Sequence, residues 1–357
     1  MSAAAALSFA HDALLLDLDG TVWEGGRAIP GAVEAIVASG VAALYVTNNA
    51  SRAPGVVAEM LRGIGLGADS RDVITSAEAA MELVASRIPA GSRVLVLGSD
   101  SFKDIARSAG FDVVDSADAE PAAVLHGHNP ATGWAELSEA ALAIRSGAVY
   151  VASNVDSTLP MERGLMVGNG SMVAAVTHAT GVVPDSAGKP AAAMFHSGVR
   201  RVGASAPLAV GDRLDTDIAG AVAAGIPSLH VLTGVSGFYD LCAASAEQRP
   251  VYVGADMSAL GCSAGVLSVG QQGGFSAAVV AQDAPGHRVV ELSFDADAAG
   301  VWAASVPEAQ VGSAVNVSPQ LCALRTVLAV LWESSAATNV EVRPADDASA
   351  RALEAWW

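Results

Sequence analysis

The sequence has almost no lysine. Of the 19 basic residues in 357 positions, only Lys103 and Lys189 are lysines, so the chain supplies ordinary surface charge with arginine. Acidic residues number 37, which gives a formal net charge of −18, and no basic run is longer than the pair Arg200 and Arg201. This balance argues against a general binder of nucleic acid or of anionic membranes. In such a chain each lysine calls for its own explanation.

Cysteine and long apolar runs are also scarce. Cys242, Cys262 and Cys322 are odd in number, far apart and without CxxC spacing. They favour thiols in a reducing compartment over a disulfide framework or a zinc site. The first ten residues lack the basic residue and the apolar stretch of a signal peptide, and no apolar run approaches the roughly 20 residues that span a bilayer. We therefore expect a cytoplasmic protein that does not bind membranes.

The chain does contain short apolar segments in regular alternation. Hydrophobic residues make up 52% of the sequence and charged residues 16%, as in a folded protein rather than a disordered acidic one. Runs typical of buried strands, beginning with Ala13 to Leu16, alternate with helical patterns as far as about residue 231. This alternation predicts an α/β fold built on a doubly wound parallel sheet, and two such sheets are expected.

Residues 258–357 differ from the rest of the chain in composition and sequence pattern. A stretch rich in glycine, serine and glutamine precedes strand patterns at 276–281 and 288–294 and a helical pattern at 319–334. Four of the six tryptophans lie in this segment, including Trp357, which indicates a small packed α+β module rather than a floppy tail. No function follows from its residues, and we expect this module to have a structural role or a role in oligomerisation.

The strongest chemical signal is Asp17-Leu18-Asp19-Gly20-Thr21, directly after the first buried strand. Carboxylates at i and i+2 point to the same side of a strand end and meet over one site. Two negative charges at so short a distance either share a proton or hold a divalent metal ion between them. An ordinary turn would use the same residue types, so this motif does not decide the matter alone.

Three further polar segments stand where strands end or a helix begins. They are Thr47-Asn48-Asn49, Gly188-Lys189-Pro190 and Gly211 to Asp217. With the first motif they supply two carboxyl groups, hard oxygen ligands for a metal, and donors and one cation for phosphate oxygens. Phosphoryl transfer from a monoester needs this set of groups.

These four segments, in this order, resemble the motifs of the haloacid dehalogenase-type phosphatases. More narrowly, the chain is similar to the branch that contains NagD-like, 4-nitrophenylphosphate, phosphoglycolate, pyridoxal phosphate and glycerol 3-phosphate phosphatases. The segments that carry this similarity are Asp19 to Trp23, Ile29 to Ala32, Thr47 to Arg52 and Gly168 to Met172. The resemblance covers about residues 11–257.

The resemblance implies a Rossmann-like catalytic core with an inserted α/β cap of the C2 type. The core would comprise residues 11–82 and 183–257, the cap residues 83–182, and the appended α+β module residues 258–357. A cap above the carboxyl edge of the sheet would exclude water and contact the substrate.

The resemblance also implies roles for single residues. Asp17 would attack phosphorus to form an aspartyl-phosphate, and Asp19 would protonate the leaving alcohol and later activate water. Mg²⁺ would be held by Asp17, the backbone carbonyl of Asp19, and Asp212. Asp215 and Asp217 would not bind the metal themselves but would contact Lys189 or the metal-bound water. Both also fit a solvated helix start.

Other polar residues are expected to bind the phosphate or the rest of the substrate. Small amides and carboxylates in the cap would suit a short hydroxylated substrate, although the glycine-rich loop at 168–171 is equally typical of a tight turn. The candidates are Thr47, Asn48, Asn49, Lys189, Asn154, Asp156 and Asn169.

The expected function is Mg²⁺-dependent hydrolysis of small phosphate monoesters, with glycerol 3-phosphate and 2-phosphoglycolate as candidate substrates. A phosphotransferase or phosphomutase with the same core stays open, as does a non-catalytic regulator that binds phosphate esters. The expected partners are a small phosphorylated metabolite and, in a homo-oligomer, further copies of the chain. Nucleic acid and membranes are not expected.

Overall fold

The computed structural model describes residues 5–161, 163–284, 286–306, 315–333, 339–354 and 356. The chain forms two compact units. The first comprises Met1–Ala43 and Val202–Trp357, and the second comprises Leu44–Arg201. Among the described helices, none has both the length and the apolar character that crossing a bilayer requires.

The strands are numbered in chain order over the described residues. They are β1 (Ala13–Leu16), β2 (Trp23–Glu24), β3 (Arg27–Ala28), β4 (Ala42–Thr47), β5 (Val73–Thr75), β6 (Arg93–Leu97), β7 (Asp112–Val114), β8 (Ala123–His126), β9 (Val149–Ala152), β10 (Thr158–Met161), β11 (Gly164–Val167), β12 (Asp185–Ser186), β13 (Pro207–Gly211), β14 (Ser228–Val231), β15 (Tyr252–Gly254), β16 (Phe275–Ala284), β17 (His287–Phe294) and β18 (Asn339–Pro344).

The α-helices are numbered in the same way, and a π-helix at Leu214–Ile218 precedes α8. They are α1 (Ala32–Ser39), α2 (Pro54–Gly63), α3 (Ser76–Ala85), α4 (Asp100–Ser108), α5 (Trp134–Arg145), α6 (Asn169–Thr180), α7 (Ala193–Val202), α8 (Ala219–Ala223), α9 (Phe238–Ala243), α10 (Ala264–Leu267), α11 (Ala296–Ser305), α12 (Pro319–Trp332) and α13 (Asp347–Leu353).

The first unit contains a run of parallel strands. β1 pairs with β13, β13 with β14, and β14 with β15, all in parallel. All four side chains of β1 are buried, as expected for a parallel strand covered on both faces. The carboxyl ends of these strands lie at one edge, so the loops after β1, β13 and β14 emerge side by side.

The C-terminal segment packs onto these strands within the same unit. β16 and β17 are antiparallel, β17 and β18 are parallel, and α12 packs against this small sheet. Buried side chains from Leu214 to Val253 and from Phe275 to Trp356 belong to one apolar cluster. The predicted helix at 319–334 ends at Trp332, and Ser334 and Trp357 lie outside the described residues.

The second unit contains the parallel pair β4 and β5 and a separate five-stranded sheet in the order β12-β9-β8-β6-β7. All pairings in this sheet are parallel. An antiparallel hairpin of β10 and β11 follows β9. The predicted α/β fold with parallel sheets, a cap and an additional C-terminal module is thus confirmed.

Candidate active site

Three carboxylates converge at the carboxyl edge of the first unit. Asp17 follows β1, Asp212 follows β13, and Asp217 lies in the π-helix. One ligand atom from each lies within 4.8 Å of the others, and Asp212 and Asp217 are buried. Because like charges at this distance repel unless a cation or a proton lies between them, the cluster has the character of a metal site.

Asp212 is held by neighbours on both sides. Its Oδ2 accepts from the backbone N–H of Val235 at 2.8 Å, and its Oδ1 accepts from the hydroxyl of Thr21 at 3.1 Å. A Cβ atom at Gly20 or Gly234 would stand 2.5 or 1.9 Å from Oδ2, so both positions need glycine. The carboxylate therefore has little freedom to turn.

Asp217 and Asp215 have different surroundings. Asp217 Oδ2 accepts from the backbone N–H of Arg213 at 3.0 Å, and a Cβ at Gly211 would stand 2.3 Å from the Cβ of Asp217. Asp215 is exposed and pairs with the guanidinium of Arg213 at 3.1 and 2.9 Å. The structure thus places Asp217 in the carboxylate cluster and Asp215 at the surface.

The carboxylate of Asp19 is oriented by a nearby tryptophan. Trp23 Nε1 donates to Asp19 Oδ1 at 2.9 Å, and Gly20 N donates to the carbonyl of Trp23 at 2.8 Å. Gly20 has φ +92°, a conformation that favours glycine, and this turns the chain back after Asp19. The second carboxyl of the motif is therefore fixed by the turn that follows it.

In the second unit, Asn48 connects several of the predicted phosphate-binding residues. Its Nδ2 donates to the carbonyl of Lys189 at 3.1 Å and lies 3.3 Å from both carboxylate oxygens of Asp156. Its Oδ1 accepts from Lys189 N at 2.8 Å. Lys189 is only 3% exposed, and its Nζ donates to the carbonyl of Val46 at 3.0 Å. Burying an ammonium costs free energy unless the group is paired and hydrogen-bonded.

Two of the cap candidates use their amide groups to hold backbone. Asn154 Nδ2 donates to the carbonyl of Asn48 at 2.8 Å. Asn169 Nδ2 donates to the carbonyls of Asn154 at 2.8 Å and His126 at 3.2 Å. These donors fix the shape of the loop that carries Asp156.

The glycines beside Asn169 allow very close packing. A Cβ at Gly168 would stand 2.2 Å from the carbonyl oxygen of Asp156, and one at Gly170 would stand 2.1 Å from that of Val155. The glycine-rich segment is thus the start of α6 pressed against the loop before β10.

Thr47 and Asn49 shape the loop after β4. Thr47 Oγ1 accepts from Asn49 N at 3.1 Å, and Asn49 Oδ1 accepts from Ser51 N at 2.8 Å and from its hydroxyl at 2.6 Å. Ser76 donates to the carbonyl of Asn48 at 2.6 Å. These bonds hold the backbone of the loop that carries Asn48.

Two buried histidines stay neutral. Burial lowers the pKa of His126 to about 4, and its Nδ1 lies 2.9 Å from the Tyr150 hydroxyl. Burial likewise lowers the pKa of His230 to about 4, and its Nε2 lies 3.0 Å from the carbonyl of Ser236. Neither therefore carries charge near neutral pH.

Several supporting groups were not predicted from the sequence. Thr21, Trp23 and the segment 233–236 hold the carboxylates that were predicted. The available signal was Thr233-Gly234-Val235-Ser236-Gly237, a small and polar segment directly after β14 at the same sheet edge. Its contribution comes from a backbone N–H and a missing Cβ, neither of which has a side-chain signature.

Comparisons with known proteins show the family of the chain. A family model described as haloacid dehalogenase-like hydrolase matches residues 14–112, and a second, HAD-hydrolase-like, matches residues 186–260. D-glycerol 3-phosphate phosphatase of Mycobacterium tuberculosis is 41% identical over 350 residues, covering 97% of this chain and 94% of that protein. The chain belongs to the haloacid dehalogenase-like hydrolases.

Solved structures of phosphatases are similar to this haloacid dehalogenase-like hydrolase. The glycerol phosphate phosphatase of M. tuberculosis, solved in complex with magnesium, matches with TM-score 0.87 and 40% identity over 98% of both chains. The p-nitrophenyl phosphatase of Archaeoglobus fulgidus matches with TM-score 0.64 and 27% identity, covering 70% of this chain and 98% of that one. The chain is a phosphoric monoester hydrolase of this family, and the predicted resemblance is confirmed.

Proposed function

We propose that this hydrolase is a Mg²⁺-dependent phosphatase of small hydroxylated phosphate monoesters that works through an aspartyl-phosphate on Asp17. The observation that carries the proposal is the cluster of Asp17, Asp212 and Asp217, whose ligand atoms lie within 4.8 Å of one another. Asp19, two residues beyond Asp17, supplies a separately held carboxyl group.

The donor set fits a hard divalent cation. All three side chains offer carboxylate oxygen, the ligand type that Mg²⁺ prefers, and none offers the sulfur or imidazole that favours zinc. Asp17, Asp212 and the backbone carbonyl of Asp19 would hold the ion, with Asp217 beside them. When bound, Mg²⁺ would offset the negative charge of the phosphoryl group as it approaches the carboxylates.

The proposed chemistry uses two carboxyl groups in turn. A carboxylate oxygen of Asp17 forms a bond to phosphorus while the bond to the leaving oxygen breaks, and Asp19 gives its proton to that oxygen. Asp19 then takes a proton from water, whose oxygen attacks phosphorus and releases inorganic phosphate and free Asp17. Trp23 supports this role because its N–H binds one oxygen of Asp19 and so orients the carboxyl group.

Thr47, Asn48 and Lys189 are assigned to the phosphoryl oxygens. The contacts of Asn48 with both backbone groups of Lys189 support a common role, because they fix the amide relative to the backbone that carries the ammonium. A compact buried ammonium suits a phosphoryl group whose charge is shared among three oxygens. Asn49 is assigned to the shape of the loop that carries them.

Glycerol 3-phosphate is the proposed substrate. The M. tuberculosis relative with that name supports it. Asp156, whose carboxylate lies 3.3 Å from Asn48 Nδ2, would accept hydrogen bonds from a hydroxylated alcohol and would repel the carboxylate of 2-phosphoglycolate. We therefore place glycerol 3-phosphate ahead of 2-phosphoglycolate.

A cytoplasmic location and a homo-oligomer complete the proposal. The buried thiols of Cys242, Cys262 and Cys322 suit a reducing compartment. The oligomer stays a prediction that sedimentation velocity would test.

The decisive experiment is Asp17→Asn, with Asp215→Asn as its matched control. Asparagine at 17 removes the nucleophile, so release of phosphate from glycerol 3-phosphate with Mg²⁺ should fall by at least about a thousandfold. Asparagine at the exposed position 215 should leave the rate within about twofold. EDTA should abolish the wild-type rate, and added Mg²⁺ should restore it.

Other outcomes identify the alternatives. Equal phosphate release by the Asp17→Asn variant and the wild type would overturn the catalytic assignment. No phosphate release by the wild type across a panel of small esters would favour a regulator. Transfer of the phosphoryl group to an added alcohol in preference to water would favour a phosphotransferase.

A further inference from the structure

Residues 232–237, the Asp212 loop, connect β14 to α9 and hold Asp212 through backbone groups. Val235 N donates to the carboxylate of Asp212 at 2.8 Å, and Ser236 N donates to its carbonyl at 3.1 Å. The hydroxyl of Ser236 accepts from Leu214 N at 3.1 Å. Because the donors are main-chain atoms, the shape of the loop decides where the carboxylate of Asp212 stands.

The far end of the Asp212 loop is anchored by α9. This helix has only six residues, and its start is capped by Asp240, whose Oδ2 accepts from Gly237 N at 2.7 Å. Isolated helices shorter than about 12 residues are marginal in water, so α9 depends on its packing. Leu241 and Cys242, on its inner side, are buried.

The packing partners of α9 come from the C-terminal module. Trp356 is 0% exposed, and its ring stacks on Phe238 with centroids 5.4 Å apart and planes at 30°. It meets the ring of Tyr239 edge-on at 6.0 Å and 77°. Trp332 Nε1 donates to the carbonyl of Leu241 at 3.2 Å. The first two residues of α9, next to the Asp212 loop, thus rest on one tryptophan close to the C-terminus.

We propose that the C-terminal module supports the Asp212 loop and that Trp356 is a positioning residue for the metal-binding carboxylate. The inference rests on the proposed function, because it takes Asp212 as a ligand of Mg²⁺. Trp356 acts through Phe238 and the loop. Loosening this contact increases the freedom of Asp212, so metal affinity should suffer more than recognition of the substrate.

The test compares substitutions in the full-length protein. Trp356→Leu removes the ring from α9, whereas Trp356→Phe keeps an aromatic stack. Phe275→Leu is the matched control, because Phe275 is equally buried in the same module but packs its ring against Phe294, with centroids 5.1 Å apart. The readouts are the Mg²⁺ dissociation constant by titration calorimetry without substrate, KM for glycerol 3-phosphate, and the thermal midpoint.

Trp356→Leu should weaken Mg²⁺ binding by about tenfold. At saturating Mg²⁺, its KM for glycerol 3-phosphate should change by less than about twofold. Trp356→Phe should recover most of the affinity, and Phe275→Leu should lower the thermal midpoint without weakening Mg²⁺ binding. Equal weakening in the Trp356→Leu and Phe275→Leu variants would overturn the proposal, because general loosening would then suffice.

Two further results keep the test decisive. If Trp356→Leu does not fold, Phe238→Leu replaces it, and unchanged Mg²⁺ affinity in that variant would refute the role of the stack. If the wild type binds no Mg²⁺, the proposed function itself fails. Normal wild-type binding that is unaffected by any change at 238 or 356 refutes only the support role.

Discussion

Lys189 differs from Lys103, the other lysine, in its burial and its immediate contacts. It is 3% exposed, and its ammonium donates to the carbonyl of Val46 at 3.0 Å. Lys189→Arg should lower kcat by about a hundredfold, because the wider guanidinium cannot replace a compact buried charge. Steady-state kinetics would measure this, with Lys103→Arg as the control.

The control is well matched because Lys103 makes a surface ion pair with Asp115 at 3.2 Å. Arginine should serve equally well there, so kcat should stay within about twofold. Near-normal turnover in the Lys189→Arg variant would contradict the role assigned to that residue.

His126 gives the fold a specific sensitivity to acid. Its folded pKa, about 4, lies below the ordinary value of 6.5, so the unfolded chain binds the proton first and the folded state loses stability as pH falls from about 6.5 to about 4. His126→Gln removes this contribution. When the pH is lowered from 7 to 5, the unfolding free energy of the wild type should fall by about 2 kcal/mol more than that of the variant.

Urea unfolding at the two pH values would measure this difference. The lost contact with Tyr150 lowers the stability of the variant at both pH values, so the comparison is between pH differences. His230 titrates in the same range and stays in both proteins. An identical pH dependence in the variant and the wild type would exclude His126 as a source of acid sensitivity.

At the scale of elements, the parallel strands were predictable and the irregular segments were not. β1 has the predicted bounds, because short apolar runs closed by polar residues have few other structures available. Asp217, which fitted a helix start in the sequence, lies inside the π-helix Leu214–Ile218, and this turn brings it to the cluster. A single widened turn has no periodic signature in the sequence.

The hairpin of β10 and β11 was also not predicted. It runs from Thr158 to Val167, and its strands lack the alternation of polar and apolar residues that marks a half-buried strand. The same limit applies to the site. Asp17 and Asp212 were predictable because carboxylates at strand ends are conspicuous, whereas the support from Val235 comes from its backbone.

Arg325, on α12, ties the C-terminal module to the parallel strands. It is 0% exposed, burial lowers its pKa to about 10, and it donates to the carbonyl of Val253 in β15 at 3.0 and 2.6 Å and to that of Asn316 at 2.8 Å. Arg325→Leu should cost about 3 kcal/mol or more of unfolding free energy, since it leaves buried carbonyls without donors.

Arg343→Leu is the control for that change. Arg343 pairs with Glu341 on the exposed face of β18, so its loss should change stability little. Chemical denaturation of both variants would measure the difference. Equal stability of the two variants would show that the hydrogen bonds of Arg325 do not stabilise the fold.

For the whole molecule, the charge of −18 opposes an anionic substrate. Raising the ionic strength shortens the screening length from about 30 Å at 0.01 M to about 8 Å at 0.15 M. At saturating Mg²⁺, kcat/KM for glycerol 3-phosphate should therefore rise by roughly threefold over this range, with kcat unchanged. A fall in kcat/KM with added salt would show that a local positive field outweighs the net charge.

The division of the chain into two units also affects the order in which the enzyme matures. The second unit, Leu44–Arg201, is continuous in sequence, whereas the first needs both ends of the chain. Thr21 and its partner Asp212 are 191 residues apart, so a ribosome adding 5–20 residues per second separates their synthesis by about 10 to 40 s. The second unit can fold during this interval, and the carboxylate cluster forms only after the strand bearing Asp212 has emerged.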